Sequence, residues 1–177
     1  MMIVHRDVVT FLEHPRADAK RGDIAASAEA YAKSAFETLG VDCITLSPYL
    51  GKDSIEPFLN FPEKGVFLLC KTSNAGSMDL QNLLVLPPAE DNPMPLYNYV
   101  AQLAQQWNTN NNIGIVVGAT HPQIMSNIRA AAPDLWFLSP GVGAQGGELE
   151  LALKSGLRKD GKGMLIPMSR SISRSDD

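Results

Sequence analysis

Cysteine is almost missing from this chain: among 177 residues there are two, Cys43 and Cys70. Each sits inside an apolar, strand-like run, "VDCITL" and "GVFLLC", which suits buried reduced thiols and speaks against a disulfide framework or a cysteine metal site. Histidine is nearly as scarce, and His5, His14 and His121 stand at no spacing that would ligate a metal. No run approaches the roughly 20 apolar residues of a membrane span. The opening "MMIVHRDVVTFLEHPR" holds two acids, two histidines and a proline where a signal peptide needs an unbroken apolar stretch. Blocks of like charge are missing too. The 15 basic and 19 acidic residues are interspersed, and the net charge of -4 leaves no electrostatic footprint for nucleic acid or an anionic membrane. These absences predict a cytoplasmic protein with a small-molecule partner.

What is present is an alternation. The length suits one domain, which at this size hides roughly 70% of its unfolded surface. Short β-rich runs ("VDCITL", "GVFLLCKTS", "NIGIVVGAT", "LWFLSPG", "GMLIPMS") are separated by helical patterns. In "DIAASAEAYAKSAFETLG" the positions Ile24, Ala28, Tyr31, Ala32, Ala35 and Leu39 recur at helical spacing, and Gly40 supplies the stop. Further helices are expected over "DSIEPFLNF", from Leu96 to Trp107, over "HPQIMSNIRAAAP" and in the second half of "GVGAQGGELELALKSGL". Strands that are apolar throughout and alternate with helices predict a parallel α/β sheet, either a (β/α)8 barrel or a doubly wound sheet. Polar or glycine-rich clusters end nearly every strand: "DAKRGD", "SPYLG", "KTSNAGS", "GATHP", "SPGVGAQGG" and "SRS". A barrel gathers all such ends around one mouth, whereas a doubly wound sheet uses only those near its switch point. The barrel is therefore the expected fold.

Three clusters carry chemistry. Asp18 and Lys20 are two apart, so on an extended strand they share a face, in a barrel the interior mouth, where in a low-dielectric pocket a carboxylate and an ammonium can keep each other ionised and the lysine can donate a proton to a developing carbanion. Asp23, past the turn at Gly22, either joins that array or caps the helix that follows. The second cluster, "SPGVGAQGG", has Gly141 and Gly143 where backbone can approach an anion closely, Gln145 as a further donor, and Arg170 in the last strand end to grip a phosphate. A flexible, helix-capping turn is the plainer reading. The third, "KTSNAGS", places Ser73 and its neighbours where they suit the amide edge of a heterocycle, or simply make a Ser/Asn turn.

Five ordered segments, "DAKRGDIAASAEAYA", "SPYLGKDSIEPFL", "GVFLLCKTSNAGS", "GIVVGAT" and "LSPGVGAQGG", together resemble orotidine 5'-phosphate decarboxylase, in the branch sometimes fused to orotate phosphoribosyltransferase. The resemblance runs from about Asp18 to Ile172. It implies a (β/α)8 barrel that dimerises through its mouth and decarboxylates orotidine monophosphate to UMP without cofactor or metal. It further implies that Asp18 faces the departing carboxylate and that Lys20 protonates C6. Asp23 and Ser27 would reach across a homodimer interface into the neighbour's site. Ser73 would meet the pyrimidine, and Gly141, Gly143, Gln145 and Arg170 the phosphate. The family's first-strand aspartate and second-strand lysine have no counterpart here, and "TFLEHPRA" carries Pro15 where a central strand would stand. The expectation is an incomplete barrel over residues 18–177 with about strands three to eight, behind an atypical segment, 1–17. A catalytically inactive remnant that binds nucleotide phosphate or only self-associates is the alternative. A sugar-phosphate aldolase relative, which shares the Asp-x-Lys-x-x-Asp element, is disfavoured by "KTSNAGS".

Overall fold

The computed structural model describes residues 16–88, 90–143 and 146–167, with Arg16 described by its backbone alone. Most of the segment 1–17, and both Gln145 and Arg170, lie outside the described residues. The β-branched and apolar runs form strands β1 (Arg16–Arg21), β2 (Cys43–Leu46), β3 (Gly65–Lys71), a small antiparallel pair β4 (Leu84–Val85) and β5 (Met94–Pro95), then β6 (Ile113–Val117), β7 (Trp136–Leu138) and β8 (Met164–Leu165). Between them run helices α1 (Ala25–Lys33), α2 (Glu56–Leu59), α3 (Leu96–Trp107), α4 (Pro122–Ala131) and α5 (Leu149–Gly156). A π-helical turn, Ser34–Thr38, extends α1.

Two observations decide between the expected architectures. The six-stranded sheet has the order β1-β2-β3-β6-β7-β8, every pairing parallel, with no point where the order reverses. A doubly wound sheet requires such a reversal. The helices also lie on one side of the sheet. One core cluster joins strand residues Ile44, Leu46, Val66, Leu68, Ile115 and Phe137 to the inner faces of the helices, among them Ala28, Phe58, Ala101, Met125 and Ala152. The opposite strand faces form their own cluster of Cys43, Phe67, Val116 and Leu165, packed with Leu69, Trp136 and Leu138 and with no helix residue. Helices outside and side chains packed on side chains within is the barrel arrangement. Burial on both faces is also why β6, and β2 apart from Thr45, read as apolar runs.

Helix α1 departs from its expected face. Ala28, Ala32 and Ala35 are buried, but Ile24, Tyr31 and Leu39 are 54%, 38% and 66% exposed. The small alanines, with Phe36 of the π-helical turn, are what this run puts into the core, and Tyr31 turns outward under the Arg21 guanidinium, 5.3 Å from its ring centre.

At the amino ends of the strands Arg129 ties the last units together. Its guanidinium donates to the carbonyls of Gly156 (2.8 Å), Leu135 (2.7 Å), Ala132 (3.0 Å) and Gly163 (3.1 Å) and lies 3.6 Å from the centre of the Phe137 ring. Burial, with the Arg158 cation beside it, brings its pKa down to about 10.

The inner face depends on one missing side chain. A Cβ at Gly114 would strike the Phe67 ring and approach the Trp136 carbonyl oxygen to 2.8 Å. Gly114→Ala is therefore expected to cost about 1–3 kcal/mol through overpacking. Urea denaturation would read this as a lower midpoint with an unchanged slope; a midpoint equal to that of the wild type would contradict the packing described.

Candidate active site

Five strands of the sheet, β1, β2, β3, β6 and β7, border one cavity of about 730 Å³, and the segment after β8 reaches it as well. β1 contributes Asp18 and Lys20, β2 Thr45, and β3 Phe67 and Leu69, with Thr72, Ser73 and Asn74 beyond its end. Val116 comes from β6, Leu138 and Pro140 from the β7 end, and Pro167 from beyond β8. The apolar floor is the inner cluster of the sheet, and the polar residues belong to the carboxyl ends, where parallel βα units converge. Of the strand-end clusters expected to line one mouth, "SPYLG" and "GATHP" contribute nothing to this cavity.

Lys20 Nζ donates to Asp18 Oδ1 at 2.7 Å. The two meet as expected, but not through regular alternation. Between Ala17 and Arg21 the pairing of β1 with β2 slips: Ala17 stands opposite Ile44 and Arg21 opposite Leu46, so four steps on one strand match two on the other. Lys20 sits in this bulge with a left-handed φ of 47°. Bulges beside functional sites re-aim side chains, and a non-glycine residue held left-handed stores strain that its surroundings must hold. Thr45 supplies part of that hold. Its Oγ1 accepts from the Lys20 backbone N–H (3.0 Å) and donates to Asp18 Oδ1 (3.0 Å). The low-dielectric setting expected for the pair is not what the structure gives, since the Lys20 and Asp18 side chains are 54% and 72% exposed. In such solvent an ion pair is worth less than about 1 kcal/mol.

Asp23 and Ser27 do not border the cavity. Asp23 Oδ1 accepts from the adjacent Ile24 N–H (2.9 Å), and α1 begins without a side-chain cap, so the capping alternative is not realised. Ser27 lies exposed on α1, one turn from Ile24 and Tyr31. Ser73 lines the cavity, and Gly118 lets its loop come close, since a Cβ there would stand 3.0 Å from the Ser73 backbone nitrogen. Gly141 and Gly143 have φ of 102° and 76°, a conformation that favours glycine. Their turn closes on itself: Gly147 N–H donates to Gly141 O (3.1 Å), and Gly143 N–H to Gly147 O (2.8 Å). It follows Pro140 at the same end of the sheet as Lys20. Among the described residues no group of three or more His, Cys, Asp or Glu could hold a metal ion, and no helix is long and apolar enough to cross a membrane.

Three contributors have no obvious mark in the sequence. Thr45 stands in an otherwise apolar strand, and that lone buried hydroxyl is the signal that could have found it. Gln81 clamps the "KTSN" turn by accepting from Thr72 N–H (2.9 Å) and donating to Thr72 Oγ1 (2.9 Å). Lys71 points away from the cavity, is 2% exposed and donates to Ser77 Oγ at 2.7 Å; burial holds its pKa below the usual lysine range.

A one-sided, sequentially ordered parallel sheet with its charged pair and glycine turn at the carboxyl ends defines the (β/α)8 barrel class, six strands of which lie among the described residues. The model of the family described as "Orotidine 5'-phosphate decarboxylase / HUMPS family" matches residues 17–177. A curated relative from Roseiflexus castenholzii (strain DSM 13941 / HLO8), an orotidine 5'-phosphate decarboxylase, is 50% identical over 160 residues, which cover 90% of this chain and 57% of the relative. The structure of Leishmania donovani OMP decarboxylase superposes with a TM-score of 0.82 at 52% identity, covering 92% of this chain and 61% of that one. That of Leishmania donovani UMP synthase gives 0.84 at 54% identity, over 92% and 35%. The chain belongs to the orotidine 5'-phosphate decarboxylase / HUMPS family and spans about 57% of the length of this curated relative.

Lys71 gives the region a pH signature. Its folded pKa is lowered, so between that value and the ordinary lysine value of about 10.4 the unfolded chain holds a proton the folded one has lost. Stability contributed by Lys71 therefore rises with pH in that window. The neighbouring Cys70 acts oppositely, since burial pushes its thiol well above the usual cysteine range and the unfolded thiol ionises first. Lys71→Met should remove the rise and leave the Cys70 fall, so its stability measured by urea should drop relative to wild type as pH climbs toward the ordinary lysine value of about 10.4. Parallel curves would refute it.

Proposed function

We propose that this chain converts orotidine 5'-phosphate to uridine 5'-phosphate and carbon dioxide, as a cofactor-free carboxy-lyase that works as a cytoplasmic homodimer. The observation that carries the reading is the 2.7 Å Lys20–Asp18 pair at the rim of a cavity that Ser73 and Pro140 also line, in a chain of this family. The bond from C6 to the carboxylate breaks with its electron pair staying on carbon, and the Lys20 ammonium delivers the proton that neutralises it. Lys20 is then recharged from solvent, which its exposure permits. Asp18, next to the leaving carboxylate, disfavours the bound substrate's negative charge and keeps the ammonium aimed. Ser73 reads the pyrimidine edge. Gly141, Gly143, Gln145 and Arg170 hold the phosphate, whose binding energy, remote from C6, orders the reacting end.

Asp23 and Ser27 serve the partner's site in this proposal. Their support is the exposed face of α1, where Ser27 lies among the apolar Ile24 and Tyr31, a composition better suited to an interface than to water.

Lys20→Ala should lower decarboxylation by about 10²–10⁴-fold, the span of a general acid, while UMP binding measured by calorimetry persists. A folded wild-type sample that binds UMP without turning over orotidine monophosphate would remove the enzymatic proposal and leave a nucleotide-binding remnant.

A further inference from the structure

We propose that Thr45 is a positioning residue of this site, one that sets the geometry of the proton donor through a single hydroxyl. The proposal rests on the decarboxylase reading for its kinetic consequence, but its structural content stands on three contacts. Thr45 is 5% exposed at the end of β2, so its hydroxyl has no ready exchange with solvent. Oγ1 accepts from Lys20 N–H at 3.0 Å, which secures the left-handed backbone at the one bulged position of the strand where the lysine must turn inward. The same oxygen donates its hydrogen to Asp18 Oδ1 at 3.0 Å, the carboxylate oxygen that also receives Lys20 Nζ at 2.7 Å. The donation and the acceptance run in one direction, from amide to hydroxyl to carboxylate, and such chains reinforce one another. With the pair itself exposed, this buried link is what prevents the lysine and the aspartate from drifting among rotamers.

Thr45→Val keeps the shape and removes the hydroxyl, and Thr45→Ser keeps the hydroxyl and removes the methyl. In the Val variant kcat should fall about 10²-fold, the size of a misplacement near the chemistry, with KM changed by less than about threefold. The Ser variant should stay within about threefold of wild type in kcat. Hydrogen exchange supplies a readout that needs no turnover. The Lys20 amide should exchange at least about tenfold faster in the Val variant than in wild type, a change of about 1.4 kcal/mol in opening free energy, and the Ser variant should match wild type. If the Lys20 amide exchanges equally in all three proteins, or if the Val variant retains wild-type kcat, Thr45 does not position the pair. A wild-type chain without turnover sinks the decarboxylase reading alone, and the exchange comparison still decides the role of Thr45.

Discussion

The direction shared by the six strands is the constraint on which the remaining features depend. Because every pairing is parallel and every crossover returns on the same side, the helices accumulate on one face, and the strand ends that carry polar residues accumulate at one rim. The other face is left to pack on itself, which it does through Cys43, Phe67, Val116 and Leu165. This packing is tight enough that Gly114 cannot carry a side chain. Cys43, Phe67 and Val116 therefore serve both as part of the second core and as the floor of the cavity. Opposite the rim, Arg129 donates to five carbonyls where α4, α5, β7 and β8 meet, so stability is concentrated at one end and polar chemistry at the other. That division is characteristic of barrels and lets loops at the rim vary without loosening the frame.

Much of this frame was legible in the residues. Continuous apolar runs between helical patterns gave a parallel sheet, and the polar strand ends favoured one rim over a switch point. Both follow from periodicity, which depends only on local spacing. Helix α3 starts and stops at Leu96 and Trp107, where the pattern starts and stops. Helix α1 was harder for a physical reason. Apolar spacing identifies the stripe that leaves water and not the surface that receives it, so Ile24 and Tyr31 counted in the stripe although the alanines and Phe36 are the residues that are buried.

The site was less legible than the fold. Alternation correctly joined Asp18 to Lys20, although the cause differs: a bulge and a left-handed lysine do what a regular strand was expected to do. Neither leaves a trace in composition, since glycine is the usual marker of positive φ and the residue there is lysine. Thr45 lies 27 residues from Asp18, and Gln81 lies 9 from Thr72, so both act through tertiary contacts that no local pattern reports. Gln145 and Arg170 fall outside the described residues, and their phosphate role stays with the proposal.

The exposure of the Lys20–Asp18 pair bears directly on how such a site could work. Two charges in water at this separation attract weakly, and removing solvent strengthens the same geometry severalfold. The proposed chemistry needs that strengthening, because an unstabilised carbanion demands charge compensation at the moment it forms. β1 pairs on one side only among the described residues, so the sheet itself does not supply the enclosure. In the proposed complex it comes from what covers the rim: the nucleotide, held at its phosphate, and the second copy that brings Asp23 and Ser27. Binding and assembly then become part of catalysis, because they create the dielectric in which a pre-aimed ammonium has its full effect. The buried Thr45 link is what makes the pre-aiming independent of that cover.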